Sequence, residues 1–300
     1  MADLVLQEPF RAIFYTPFYA ALARGAFAAE GVEVRLITVG EPDRAVANLL
    51  SGAADLAWSG PMRVIRDHAA DSDSPLVSFG AVVMGDPFFL VGAEPNPDFT
   101  LPDLLDLRLG TVSEVPTPWW CLGLDLREAG VDPAAIARTT DAGMAANLAA
   151  VLGGTLDVAQ VFEPFATLAE QAGGSVWHAA ATRGPTAYTA FYSTREKLAA
   201  RAADMAGMVR GMARTLEWLG VASADAVAGA VGPFFPDIAP EVLSASILRY
   251  QALGIWATTP VFSRIAFNRL QESMLAAGAI ATAPGFDACV DPAITADALG

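Results

Sequence analysis

Six aromatic residues occupy positions where the sequence predicts strand ends or helix starts, and rings at such positions could stack on a flat organic ligand. Each stacked pair adds about 0.5–1.5 kcal/mol beyond the burial of apolar surface. The alternative for several of them is an ordinary place in the hydrophobic core. The six residues are Tyr15, Tyr19, Trp58, Phe88, Trp119 and Tyr188. This set predicts that the chain binds a small aromatic or heteroaromatic molecule.

Hydroxyl-bearing and acidic residues near the same predicted turns could complete such a site by hydrogen bonding. Ser59, Ser113 and Thr117 fall at strand-to-helix turns, where hydroxyl and backbone N–H groups bind anions. Two prolines beside Thr117 remove two of those N–H groups, which argues against a strongly anion-selective site. Asp86 precedes a proline, and the sequence allows either a turn-forming role or a ligand acceptor.

Three charged residues are further candidates. Glu163 starts a predicted helix directly after a buried strand. Its carboxylate could cap that helix, or it could accept hydrogen bonds from ligand N–H groups, worth about 1.5–3 kcal/mol. Arg11 and Arg63 could pair with a ligand carboxylate or sulfonate, although a solvated position is the commoner one for arginine.

The sequence has few of the residues that common catalytic or metal-binding motifs require. Lys197 is the single lysine, and no phosphate-binding loop, dinucleotide-binding glycine motif or nucleophile-elbow motif occurs. Cys121 and Cys289 are far apart and match no zinc or redox spacing, so we expect thiols that are packed or lie at the surface. His68 and His178 stand alone. We therefore assign no catalytic residue, no metal and no cofactor.

Composition narrows the classes of partner. The formal net charge of −15 argues against binding to nucleic acid or to an anionic membrane surface. The mean hydropathy of +0.41 is high, but the longest uncharged run, residues 142–156, is too short and too rich in glycine to cross a bilayer. The opening residues lack the pattern of a secretion signal. Localisation is therefore left open: periplasmic if a signal peptide was removed, otherwise cytoplasmic.

The first unit of secondary structure that is predicted to position these residues is a strand–helix–strand unit at the start of the chain. An apolar run at residues 4–6 is followed by an aromatic turn, a short helix that ends at Gly31 and a second strand near Val34. Strands then alternate with helices, the pattern of an α/β fold with a parallel sheet. Ligands bind at the carboxyl ends of parallel strands, which is where Phe14, Tyr15 and Tyr19 are expected to lie.

Three segments resemble the SsuA/thiamine-pyrimidine (NMT-like) family of periplasmic-type substrate-binding proteins. They lie in the first 165 residues, in the order and spacing of the family. Their sequences are YAALARGAFAAEGVEV, LLSGAADLAW and GGTLDVAQVFEPF. The last of these contains Glu163 followed by proline, an element found in the second lobe of the family, which favours a ligand-binding role for Glu163.

The resemblance implies an α/β, two-lobed fold of the type II periplasmic-binding-protein kind, with a hinge and a ligand cleft between the lobes. Residues 1–93 and 189–300 would form lobe 1, including the C-terminal helices, and residues 94–188 would form lobe 2. The proline-rich segment at residues 94–101 is the first expected crossover. Composition alone would also allow two consecutive domains.

The resemblance further implies a solute-binding protein that closes on a thiamine-pyrimidine-like molecule, an aromatic acid or a sulfonate and delivers it to an ABC permease. Two alternatives stay open: a cytoplasmic enzyme on the same fold, with Glu163 or Asp86 as acid or base, and a ligand sensor without a transporter. The family also contains an iron-dependent pyrimidine synthase with a cysteine-rich motif. This sequence lacks that motif, so we expect no stoichiometric iron or zinc.

Overall fold

The strands of the computed structural model form two separate sheets, and the model describes residues 3–40, 44–113 and 115–300. The first sheet contains β1 (Leu4–Glu8), β2 (Val34–Thr38), β3 (Leu56–Ser59), β4 (Leu76–Val83) and β10 (Thr189–Thr194). The second contains β5 (Phe89–Gly92), β6 (Leu109–Gly110), β7 (Arg138–Thr139), β8 (Val158–Val161) and β9 (Ser175–Ala179). We call the layers around these sheets lobe 1 and lobe 2.

The order of the strands is that of an α/β fold with one returning strand in each sheet. In lobe 1 the order is β2-β1-β3-β10-β4, and in lobe 2 it is β7-β6-β8-β5-β9. Strand β1 is parallel to β2 and β3, with Leu6 paired to Leu36 and Leu56, whereas β10 is antiparallel to both of its neighbours. Every residue of β4 is buried, as expected for a strand that is covered on both faces.

Two chain segments connect the lobes. The first lies between β4 and β5, residues 84–88, and the second between β9 and β10, residues 180–188. They run beside each other, since the Thr186 N–H donates to the Met84 carbonyl at 2.8 Å. From the sequence, the first crossover was expected at residues 94–101. In the structure the Gly85–Pro87 turn already ends β4, and the next strand pairs with β8 and β9 of lobe 2.

Thirteen helices surround the sheets in the described part of the chain. They are α1 (Thr16–Ala23), α2 (Arg44–Ser51), α3 (Met62–Ala70), α4 (Thr117–Glu128), α5 (Met144–Leu152), α6 (Phe165–Gln171), α7 (Arg195–Ala200), α8 (Ala202–Leu219), α9 (Ala224–Val231), α10 (Pro240–Leu253), α11 (Arg264–Ala276), α12 (Phe286–Cys289) and α13 (Ala293–Leu299). Among these described helices, none is long and apolar enough to span a membrane.

The C-terminal helices contact both lobes. Helix α8 packs against α1 of lobe 1. Helix α10 packs against residues 13–15 of lobe 1 and against α6 of lobe 2, and α11 packs against α3 of lobe 1 and α4 of lobe 2. From the sequence these helices were expected on lobe 1; their contacts with lobe 2 include arginines that pair with its carboxylates, a contact that periodicity alone does not reveal.

Candidate ligand-binding site

A cavity of about 40 Å³ lies where loops from the two lobes meet. Five of the residues predicted from the sequence line it: Tyr15, Ser59, Phe88, Thr117 and Tyr188. They come from the starts of two helices, the end of one strand and the segments before two others, so folding brings together residues that are far apart in the chain. Larger grooves occur on the surface, for example one of about 470 Å³ beside Trp256, but aromatic rings from both lobes do not converge there.

Aromatic rings from both lobes form most of the cavity wall. The rings of Phe10 in lobe 1 and Phe162 in lobe 2 are nearly parallel, with centroids 6.4 Å apart and planes at 6°. Phe162 also meets Phe14 and Phe88 edge-to-face, each at 5.3 Å. Edge-to-face and offset stacked rings are the favoured arrangements. The wall is therefore a preformed surface for a flat apolar molecule.

Few polar groups reach this wall. Arg63 is buried, and its Nε donates a hydrogen bond to the Ser59 hydroxyl at 3.1 Å. The hydroxyl of Tyr188 is buried, and no hydrogen-bond partner for it lies among the described residues. Burial, reinforced by the negative charge of Asp86, raises the pKa of Tyr188 well above its ordinary value. The phenol therefore keeps its proton and remains a donor at neutral pH.

Two predicted aromatic residues lie behind the wall rather than in it. Trp58 is fully buried and stacks on Phe18 at 4.4 Å. Tyr19 is also fully buried, and its hydroxyl donates to the carboxylate of Glu8. Both residues follow the same strand-end pattern as Tyr15, but their side chains point into the core of lobe 1, where they support the cavity from behind.

Asp86 belongs to a buried ion-pair network. It pairs with Arg183, whose Nε donates to Asp125 at 2.7 Å. Arg269 on α11 donates to Asp125 at 2.9 Å and to Glu128 at 2.7 Å. Burial on its own would lower the pKa of Arg183, but the two aspartates raise it above its ordinary value. The network thus links the two crossing segments to α4 and α11.

Glu163 is fully buried and makes a second network outside the cavity. Its carboxylate accepts from the Thr167 backbone N–H at 2.9 Å, from Arg249 Nε at 2.6 Å and from the Ser246 hydroxyl at 3.3 Å. The Glu163 N–H donates to the Tyr250 hydroxyl at 3.0 Å. The carboxylate therefore caps α6 and ties lobe 2 to α10, which is the capping alternative that the sequence analysis left open.

The two remaining predicted residues also lie away from the cavity. Ser113 is exposed in the loop before α4. Trp119 is half-buried on an outer groove of lobe 2, where the guanidinium of Arg138 lies 4.1 Å from its ring centroid.

The cysteines and other possible metal ligands do not form a reactive centre within the described ranges. Cys121 and Cys289 are both buried. Burial raises the pKa of each thiol to about 12, which keeps both protonated at neutral pH. No group of three histidine, cysteine or carboxylate side chains that could hold a metal ion occurs in the part of the chain that the structure describes.

Two aromatic cavity residues, Phe10 and Phe162, were not predicted from the sequence. Phe10 follows β1 across a proline, and Phe162 follows β8 directly, so the strand-end rule that selected Tyr15 would also have selected them. Phe162 was included in the strand itself, and its neighbour Glu163 was chosen instead. For Arg63 the sequence left open a ligand contact or a solvated position; the residue is only 7% exposed and lines the cavity.

Comparison with known proteins identifies the family. The family model described as "NMT1/THI5 like" matches residues 13–219. The chain belongs to the NMT1/THI5-like family. This result confirms the resemblance recognised in the three sequence segments, and the match covers most of both lobes of this NMT1/THI5-like protein.

Individual proteins are similar to this chain in sequence or in structure. "Putative binding protein YtlA" of Bacillus subtilis (strain 168) is 26% identical over 286 residues, covering 91% of this chain and 83% of that protein. The periplasmic aliphatic sulphonate binding protein SsuA from Escherichia coli has a TM-score of 0.76 at 17% identity, covering 93% of both chains. The desulfurization enzyme DSZB has a TM-score of 0.71 at 12% identity, covering 99% of both chains. The structural likenesses confirm the periplasmic-binding-protein fold of this NMT1/THI5-like protein.

Proposed function

We propose that this protein is the substrate-binding component of an ABC-type import system and that it holds a small planar ligand between its lobes. Family membership supports the class, as do the names of YtlA and SsuA, which describe binding proteins. The proposed ligands are those that the sequence suggested: thiamine-pyrimidine-like molecules, aromatic acids and sulfonates. The proposed partner is an ABC permease.

The observation that carries the proposal is the pair of nearly parallel rings, Phe10 and Phe162, which belong to opposite lobes and have centroids 6.4 Å apart. A carbon–carbon contact is optimal at about 3.5–4.0 Å, so a planar ring stacked between them would need about 7–8 Å. A small outward movement of one lobe would therefore let one planar ring enter. Such a ring would gain two stacking contacts at once.

The size of the cavity agrees with a closed arrangement of the lobes. About 40 Å³ holds roughly three water molecules, whereas a cavity of about 150 Å³ is needed for a molecule as small as benzene. Ligand entry would therefore require opening at the two crossing segments, as in hinged binding proteins. The proposed cycle is opening, stacking of the ligand on the aromatic wall and closure.

A ligand screen tests this proposal. Thermal unfolding of the protein would be measured with pyrimidines, aromatic acids and sulfonates, and each compound that raises the melting temperature would be titrated calorimetrically. A bound ligand stabilises the protein by RT ln(1 + [L]/Kd). Binding with Kd below about 100 μM supports the proposal, and conversion of a ligand to product would instead favour the enzyme alternative. If no pyrimidine, aromatic acid or sulfonate bound, that result would contradict the proposed function.

A neighbouring pair of phenylalanines supplies a matched test of the cavity. Phe88 lines the cavity, whereas the next residue, Phe89, stacks on Tyr250 at 6.1 Å. Both are almost fully buried, so either change to leucine should cost similar stability. We expect Phe88→Leu to weaken ligand binding about 3- to 10-fold and Phe89→Leu to leave it nearly unchanged. Equal losses in the two variants would remove Phe88 from the site.

A further inference from the structure

We propose that a groove on the outside of lobe 2, lined by arginine and tryptophan, docks a segment of a partner protein that carries several carboxylate side chains. This outer groove has a volume of about 550 Å³. It shares no lining residue with the cavity between the lobes. The inference therefore adds an interaction surface to the proposed ligand-binding role and does not depend on that role.

Helix α4 forms one wall of the outer groove. Trp120, Gly123 and Arg127 are spaced by three and four residues, which places them along one face of the helix. Trp119 lies one turn before Gly123 and adds a second indole to the wall. A methyl group at Gly123 would lie 3.6 Å from Pro133, so the helix and the opposite wall approach each other closely at this glycine.

The side chains that line the outer groove are all either apolar or hydrogen-bond donors. Arginine and tryptophan donate hydrogen bonds and do not accept them. The other described lining residues are glycine, proline, alanine and isoleucine. No carboxylate is among the described lining residues, although the chain contains 33 acidic residues and has a net charge of −15. The groove is therefore complementary to negatively charged acceptors, in contrast to the acidic molecule around it.

Arg138, on the wall opposite α4, lacks a compensating negative charge within the described ranges. Its guanidinium stacks on Trp119, and its Nη1 donates to the Thr111 hydroxyl at 3.3 Å. Burial lowers the pKa of Arg138, whereas Asp157 raises the pKa of Arg108 on the same lobe. The stacked guanidinium is thus held in place while most of its N–H groups remain available to a carboxylate.

Arg127 supplies a second cation from the α4 wall. It is exposed, and its Nη1 donates to the Gly123 carbonyl of its own helix at 3.4 Å. No carboxylate of a described residue pairs with it. Two arginines on facing walls can therefore bind two carboxylates of one partner at the same time.

The shape and composition of the outer groove favour a protein segment over a small anion. Arg127, Ala134, Arg138 and Ala277 are exposed, so the groove is open to solvent. A small anion would stay hydrated there and would pair only weakly. Tryptophan and arginine are enriched at the centres of protein interfaces, and acidic residues are depleted. A segment that combines carboxylates with apolar side chains could pair with the arginines and cover the indoles together.

Titration calorimetry at low salt tests the outer groove with three probes. They are a short peptide of alternating glutamate and phenylalanine, the same peptide with glutamine in place of glutamate, and free glutamate. We expect the acidic peptide to bind more than about 10-fold more tightly than the glutamine peptide, and its binding to weaken as salt is added. Free glutamate that bound as tightly as the acidic peptide would indicate a site for small anions and would overturn the proposal. Absence of binding by the acidic peptide would also overturn it.

Two double variants with the same change in charge locate the binding. Arg127→Gln combined with Arg138→Gln should weaken the acidic peptide about 2- to 30-fold, the value of two exposed charge pairs. Arg35→Gln combined with Arg44→Gln removes two arginines of lobe 1 and should leave binding nearly unchanged. All four arginines are exposed, so both variants should keep the unfolding midpoint of the wild type. Equal losses of affinity in the two variants would mean that only net charge matters, and the proposal would fail.

Sedimentation velocity separates a partner protein from a second copy of this chain. We expect the wild-type protein to sediment as a monomer, because two molecules with a net charge of −15 repel each other. A dimer that the Arg127→Gln and Arg138→Gln changes abolish would assign the outer groove to self-association and would overturn the proposal of an acidic partner protein.

Discussion

Replacing Arg183 with methionine is expected to lower the free energy of unfolding by about 3–5 kcal/mol, because the change leaves buried Asp86 without its cation and removes one of the two arginines that pair with Asp125. Arg183 is 5% exposed, and its partners Asp86 and Asp125 are 1% and 7% exposed. Methionine keeps an apolar chain similar to the methylene groups of arginine, so the change removes mainly the charged guanidinium group. Urea unfolding of the purified variant, followed by circular dichroism, measures the loss.

An exposed ion pair provides the matched control. Arg264 pairs with Asp287 at 2.7 Å, but the two side chains are 57% and 81% exposed. Water screens such a pair, so Arg264→Met should leave the unfolding midpoint unchanged within error. If Arg183→Met were as stable as Arg264→Met, the buried network around Asp86 would have no structural role, and Asp86 would return to consideration as a ligand acceptor.

Glu163→Gln is expected to lower the free energy of unfolding by about 1.5–3 kcal/mol while changing ligand affinity less than about twofold. The variant keeps the shape of the side chain but weakens charge-assisted hydrogen bonds from Arg249 and the Thr167 N–H. From the sequence the opposite was expected, a loss of affinity with little change in stability. Unfolding curves and titrations of the same preparation separate these two roles.

Glu170 is the control for this prediction, since it pairs with the same arginine as Glu163. Arg249 Nη2 contacts Glu170 at 2.5 Å, but the Glu170 side chain is 43% exposed. We therefore expect Glu170→Gln to change stability little. A Glu163→Gln variant with normal stability and a Kd raised more than about tenfold would contradict the capping role and support a ligand contact.

Much of the fold could be predicted from the sequence, because in most elements the local sequence pattern and the long-range packing favour the same structure. Gly31 has a left-handed backbone, with φ of 77°, and it ends the short helical segment before β2 as the sequence indicates. The buried strand before Glu163 was also predicted, and it is β8. The exact point of crossing was not predictable, because β5 is apolar throughout and would fit either sheet.

The candidate site was only partly predictable, for a geometric reason. The strand-end rule gives the place of a residue along the chain but not the direction of its side chain. Tyr15 faces the cavity, while Trp58 and Tyr19 point into a core that is apolar on both faces of the sheet. Glu163 and Phe162 are adjacent, and successive side chains at a strand end point to opposite sides. Glu163 pairs with Arg249 of α10, and Phe162 lines the cavity.

The attachment of α10 to lobe 2 has a consequence for how fast this protein could take up a ligand. The two crossing segments define an axis between the lobes, and the lobes can rotate relative to each other about that axis. The Glu163–Arg249 contact adds a third point of attachment outside both crossing segments. An opening rotation of the lobes would have to stretch this contact, so we expect the contact to slow ligand uptake.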